Sequence, residues 1–237
     1  MVTKREIFQK PEIGLCDYSK YVNRQILQGI VLKSLPYKER DQIVTLFTPS
    51  HGLFKLFCKG SIKQTQAERA LLSTLTEGEF SCAPGKQELA RFYGGEILCQ
   101  YVHLRQNYAQ LDTALKLVEA ILNSQWQGKG APKLYSLFTY FLKQLNKVKD
   151  PTTLYTTFLL KTMIHEGNFH LPDKPSTVYR LGGEIVQESS NLLFEQEEEH
   201  LIRLLICNRA FEGLKEIELP SLFQRKIEKL FSHWVNG

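Results

Sequence analysis

Residues 55–59 read Lys55-Leu56-Phe57-Cys58-Lys59, which is two cations around an aromatic at alternate positions. In a β-strand, alternate residues share a face, so Lys55, Phe57 and Lys59 point one way and Phe54, Leu56 and Cys58 the other. The second set has the character of a core. The first has the chemistry of a nucleic-acid surface. Cations neutralise phosphates and release counterions, and an aromatic face stacks an unpaired base. Around this run lie Lys33, Lys38 and Arg40 beside a charged turn, Lys63 and Arg69 in a polar stretch, Lys86 at a Pro/Gly turn and Arg91 on a following strand. The plainer reading is that these are solvated cations and that Phe57 packs under a loop or against a helical domain. A second basic set, Lys129, Lys133, Lys143, Lys147 and Lys149, is either a solvated helix face or a further binding surface.

Catalytic patterns are missing. The chain has no Gly-x-x-x-x-Gly-Lys-Ser/Thr phosphate loop and no Gly-x-Ser-x-Gly elbow, and its carboxylates fall in no nuclease spacing. His165-Glu166 with His170 nearby lacks the spacing of a metal-binding helix, because Gly167 stands between the two histidines. His51 before Gly52 reads as a turn residue. The five cysteines, Cys16, Cys58, Cys82, Cys99 and Cys207, are scattered singly with no Cys-x-x-Cys, as expected of reduced thiols in a cytoplasmic protein. The expectation is therefore no catalytic residue, no metal and no cofactor. The longest apolar runs are too short for a bilayer, and residues 1–23 contain no apolar stretch of signal-peptide length, so no membrane association is expected.

The net charge of +5 is unevenly spread. Residues 24–170 carry eighteen Lys/Arg against eleven Asp/Glu, whereas residues 171–237 carry eight against eleven. A basic body with an acidic end suggests separate surfaces for separate partners.

The elements that must position these residues follow from hydrophobic periodicity. Runs at 25–33, 42–48 and 53–60 are rich in β-branched and aromatic residues and are separated by a charged turn and a Pro/Gly turn. The stretch 61–70 shows no β pattern and reads as a basic loop. Two more strands, 75–82 and 88–94, flank the turn at 83–86. Five short strands with one long connection fit an OB-type or an SH3-like barrel. From about residue 98 the period becomes helical. Helices are predicted over 108–123, from Pro132, and from the Asp150-Pro151 cap to Gly167. Residues 168–194, with Pro172, Pro175, Gly182 and Gly183, break the pattern, and 176–180 with 184–188 form a candidate hairpin. Two more helices are expected near 195–210 and from Pro220. This gives an α+β chain with an extension at 1–23, a barrel at 24–97, and a helical part at 98–237 interrupted near 168–194.

Several features within residues 25–60 together resemble the start of the RecO family of bacterial recombination mediators. They are the apolar strand ending near Lys33, the Tyr37-x-Glu39 turn, Ile43-Val-Thr-Leu-Phe-Thr48, His51-Gly52 and Cys58-Lys59-Gly60. The resemblance is strong there and loose over the rest of the chain. It implies an OB-fold rather than an SH3-like barrel, followed by a helical domain. It also implies binding of single- and double-stranded DNA on the barrel's basic face, most firmly by Lys59 and Lys63. The partners implied are RecR, the acidic tail of single-strand DNA-binding protein and, indirectly, RecA. The activities implied are strand annealing and loading of RecA at the nucleoid. One departure is plain. Many family members carry a four-cysteine zinc site, and this chain has no cysteine between Cys99 and Cys207. Two other readings remain open, an RNA-binding OB protein and a protein-interaction adaptor without nucleic-acid binding.

Overall fold

A computed structural model describes residues 24–60, 65–85, 89–170, 179–181, 184–186, 194–207 and 211–236. Five strands close a barrel: β1 Gln25–Tyr37, β2 Asp41–Thr48, β3 Gly52–Cys58, β4 Glu77–Ala83 and β5 Ala90–Cys99. Their order is β1-β2-β3-β5-β4, and β4 pairs back to β1. All pairs are antiparallel except β3 with β5. This is the OB-type barrel that the sequence pattern admitted.

Inside it lie Leu27, Val31, Val44, Leu46, Leu56, Cys58, Phe80 and Cys82. The inward set on β3 matches the predicted alternation, with Leu56 and Cys58 buried and Phe54 packed partly against them. Burial, with some help from the charge of Glu68, pushes the Cys58 thiol up to about 12.

Three sequence-based boundaries shift. The stretch 61–70 is not simply a loop, because α1 (Gln66–Leu71) occupies its second half. Thr65 caps that helix by accepting from Glu68 N–H, and Glu68 reaches back to the Thr65 N–H at 2.9 Å. The Thr65-x-x-Glu68 capping box was present in the sequence. Leu71 and Leu72 then plug the barrel. Strand β1 continues past Lys33 to Tyr37, so Lys33 lies within a strand rather than at its end. Strand β5 does not stop at Gly94 but runs to Cys99, past the point where a helical period was expected. Two adjacent glycines look like a strand end. Here they let the strand approach Glu79, whose carbonyl oxygen lies 2.0 Å from where a Cβ on Gly95 would sit.

The helical part follows the periodicity closely: α2 Tyr108–Ser124, α3 Pro132–Gln144, α4 Pro151–His165, α5 Gln196–Cys207 and α6 Ser221–Asn236. Asp150 caps α4 by accepting from the N–H groups of Thr152 and Thr153. A small sheet of β6 Phe169–His170, β7 Tyr179–Leu181 and β8 Glu184–Val186 holds an antiparallel β7–β8 hairpin near the one expected, of which 176–178 and 187–188 lie outside the described residues. Among the described residues no group of three or more His, Cys, Asp or Glu is placed to hold a metal, and no helix is long and apolar enough to cross a membrane.

A second apolar core joins the outside of the barrel to the helices. Ile30, Leu32 and Phe47 point away from the barrel interior and join the core of the helices. Phe47 meets Tyr135 at 5.6 Å and Phe138 at 6.0 Å between ring centroids, and Phe138 continues to Phe158. Within this contact lies Glu77, only 6% exposed. Its carboxylate accepts from Tyr101 Oη at 2.8 Å, Tyr135 Oη at 3.0 Å and Gln28 Nε2 at 3.2 Å. Burial and the neighbouring Glu77 charge push both phenols well above their ordinary range, so they remain donors at any working pH.

Candidate nucleic-acid interface

The outer face of β1, β2, β3 and β5 carries two cross-strand rows, which hold Lys33, Lys55 and Arg91. In the first, Lys33 pairs with Thr45 and Thr45 with Lys55. Two strand spacings separate the lysines, about 10 Å. In the second, Leu35 pairs with Ile43, Ile43 with Phe57 and Phe57 with Arg91. Lys33, Lys55, Lys59 and Arg91 are exposed and Phe57 is half-buried.

Beside the second row the surface sinks into a groove of about 780 Å³. Tyr37, Lys38, Phe57, Lys59, Arg91 and Tyr93 supply its aromatic and basic wall. The Tyr37 ring meets Phe57 edge-on at 6.1 Å. The Lys38 ammonium sits 5.4 Å from the Tyr37 ring, and the guanidinium groups of Arg24 and Arg91 lie 4.1 and 5.5 Å from the Tyr93 ring. Three rings and three cations thus line one concave surface, and Arg24 stacks on one of those rings. Ring faces take unpaired bases, and cations beside them take the phosphates between those bases.

The barrel wall is not basic all round. Glu79 faces Glu96 across β4 and β5, next to Gln28 on β1, and all three are exposed. That acidic side repels a polyanion, which orients one to the opposite side.

Of the residues that sequence reasoning selected, Lys38, Phe57, Lys59 and Arg91 line the groove, and Lys33 and Lys55 form the adjoining row. Arg40 is exposed in the β1–β2 turn and Arg69 is exposed on α1, both outside the groove lining. Lys63 and Lys86 lie outside the described residues. Sequence reasoning missed Arg24, Tyr37 and Tyr93. Tyr93 was recoverable, because it follows Arg91 at the i+2 spacing of a shared strand face. Tyr37 was harder to find, since its role depends on β1 continuing four residues beyond Lys33.

The second basic set divides. Lys129 bonds Glu166 at 2.9 Å and Lys149 pairs with Glu218 at 2.7 Å. Lys143 and Lys147 do not share a continuous helix face, because α3 ends at Gln144 and Lys147 sits on a 3₁₀ turn.

Residues 24–101 match the family described as Recombination protein O N terminal. Over most of its length the chain is similar to the DNA repair protein RecO of Chlamydia trachomatis serovar D. The two are 30% identical over 224 residues, which cover 89% of this chain and 92% of that protein. The DNA repair protein RecO of Chlamydia pneumoniae is 31% identical over 216 residues, covering 86% of this chain and 85% of that protein. A Listeria monocytogenes protein of the same name is 24% identical over 185 residues, covering 78% and 68% respectively.

Proposed function

This chain belongs to the RecO family of DNA repair proteins, and on that footing we propose that it is a recombination mediator that binds single- and double-stranded DNA through its barrel, promotes strand annealing and helps load RecA. The observation that carries this reading is the groove in which Tyr37, Phe57 and Tyr93 alternate with Lys38, Lys59 and Arg91. An aromatic wall interleaved with cations suits a single strand with splayed bases better than it suits an apolar protein surface. The rows beside it, with Lys33 and Lys55, extend the positive field along the sheet.

In this reading no covalent chemistry is involved. Cations screen the phosphates, the rings hold bases apart from one another, and two strands so held are brought within pairing distance. The proposed partners are RecR and the acidic tail of single-strand DNA-binding protein, with RecA downstream, at the nucleoid. Lys63, Arg69, Lys86 and Arg40 are proposed to contribute charge at the margins of the surface.

The test uses complementary oligonucleotides coated with the cognate single-strand DNA-binding protein. Annealing that requires both this chain and the tail of the binding protein supports the reading. Failure of annealing together with failure to bind any oligonucleotide would sink it. Binding should weaken with salt, with log K falling by about 0.7 per neutralised phosphate on a single strand. Competition with RNA of the same sequence separates this reading from an RNA-binding one.

A further inference from the structure

Strand β5 meets β3 only at Leu56 and Phe57. Upstream, the same edge of β3 is closed by the loop between α2 and α3. The Leu53 N–H donates to the Trp126 carbonyl at 3.1 Å, and the Gly128 N–H donates to the His51 carbonyl at 2.9 Å. Gln127 bridges to Gly52 and Leu53. From the helical side, Glu166 holds the loop through Gln125 at 3.1 Å and Lys129 at 2.9 Å. The loop backbone is therefore fixed in the frame of the barrel.

On this fixed loop the Trp126 side chain stands 71% exposed. Trp is highly buried on average, so an indole left in water on a braced backbone calls for a reason. The other tryptophan, Trp234, packs against Phe231 at 5.2 Å. We propose that Trp126 is a second base-stacking platform, so that a single strand seated in the barrel groove runs along β3 and over the α2–α3 loop. This rests on the DNA-binding reading above and adds a residue and a direction to it.

The spacing supports a continuous path. Leu53, Lys55 and Phe57 share the outer face of β3, with Leu53 partly buried against the helical core, and Lys59 follows in the turn. Leu53, bonded to Trp126, is four residues from Phe57, about 13 Å along the strand. Lys55 lies between, exposed, and Lys133 is exposed on the first turn of α3. That span is within one binding site of about 4–16 nucleotides. A protein partner is the less favoured occupant. A tryptophan that anchors a protein interface usually sits in an apolar, water-excluding ring. Here the four residues that follow it in the loop, Gln127, Gly128, Lys129 and Gly130, are exposed and none is a large apolar side chain.

The experiment titrates the full chain with oligothymidylate, read by anisotropy of a labelled strand and by tryptophan emission. In Trp234→Phe the remaining emission comes from Trp126 and should be quenched as the strand binds. Trp126→Ala should lose about 5- to 150-fold in affinity, with Trp126→Phe retaining most of it. Footprinting of the unsubstituted chain, in which bound strand should protect Trp126 from oxidation, reads the contact without any substitution. If the strand binds but Trp126 emission, Trp126 oxidation and Trp126→Ala affinity are all unchanged, the indole is off the path. The inference then fails while the groove reading stands, as it would if the indole serves a protein. If no oligonucleotide binds at all, both fail.

Discussion

Phe57 and Arg91 stand side by side across the parallel seam that closes the barrel. An aromatic face and a guanidinium are thereby held in fixed register by backbone pairing, one suited to a base and the other to the next phosphate. The two should separate by experiment. Phe57→Ala should weaken single-strand binding by about 1–3 kcal/mol and leave the salt slope unchanged. Arg91→Ala should lower that slope by about 0.7 and weaken all sequences alike. Salt titrations of the two variants check this, and identical slopes for both would contradict it.

Lys38 is in the left-handed region at φ 55°, although it is not glycine. That conformation costs an ordinary side chain about 1–2 kcal/mol. The turn nevertheless holds the Lys38 ammonium against the Tyr37 ring at the groove. Lys38→Gly should therefore raise thermal stability while weakening strand binding. A variant that loses both would mean that the lysine is structural.

At Gly52, φ is +61°, and an added Cβ would lie 2.2 Å from the Lys129 carbonyl oxygen and 2.6 Å from that of Trp126. Nothing flexible is available to move, because both neighbours are backbone. Gly52→Ala should cost about 2 kcal/mol or more and lift the α2–α3 loop off β3. Thermal melts read the first effect, and faster exchange of the Leu53 amide hydrogen reads the second.

How much of this was legible in the sequence depended on whether the signal was local. Strand alternation at 54–58 and the Asp150-Pro151 cap needed only local signals, and both appear as read, although the strand ends before Lys59. The Thr65-x-x-Glu68 box was equally local but lay in a stretch judged by its polarity alone. The end of β5 was hidden because Gly94 and Gly95 signal a break unless the approach of Glu79 is known. The groove itself is a tertiary object. Tyr37, Phe57 and Tyr93 come from three strands, and the parallel β3–β5 pairing that gathers them has no sequence signature. The role of Glu77 was invisible for the same reason, since Tyr101 and Tyr135 are far from it along the chain.

The bond from Tyr135 to Glu77 links α3 to the barrel. Removing it leaves a buried carboxylate short of a donor, which costs more than the bond itself contributes. Tyr135→Phe should lose about 1.5–3 kcal/mol in a denaturant melt, with strand affinity unchanged, because Tyr135 does not line the groove. A loss of affinity without loss of stability would move Tyr135 to the binding surface instead.

Glu166 sets a pH limit on the α2–α3 loop. Burial pushes its carboxyl up, but bonds from Lys129, Gln125 and His165 outweigh this, and its pKa ends below the ordinary 4.5. A carboxyl depressed in the folded state binds its proton more readily when unfolded. Its contribution is thus complete above about pH 4.5 and is lost as pH falls through the lower, folded value. Melting temperature followed from neutral pH downward should show the chain more stable than Glu166→Gln at neutral pH. The gap should close as the solution becomes acidic, because protonated Glu166 and glutamine are then alike in charge. A gap that stays constant through the acid range would mean that the carboxylate charge does not hold this loop.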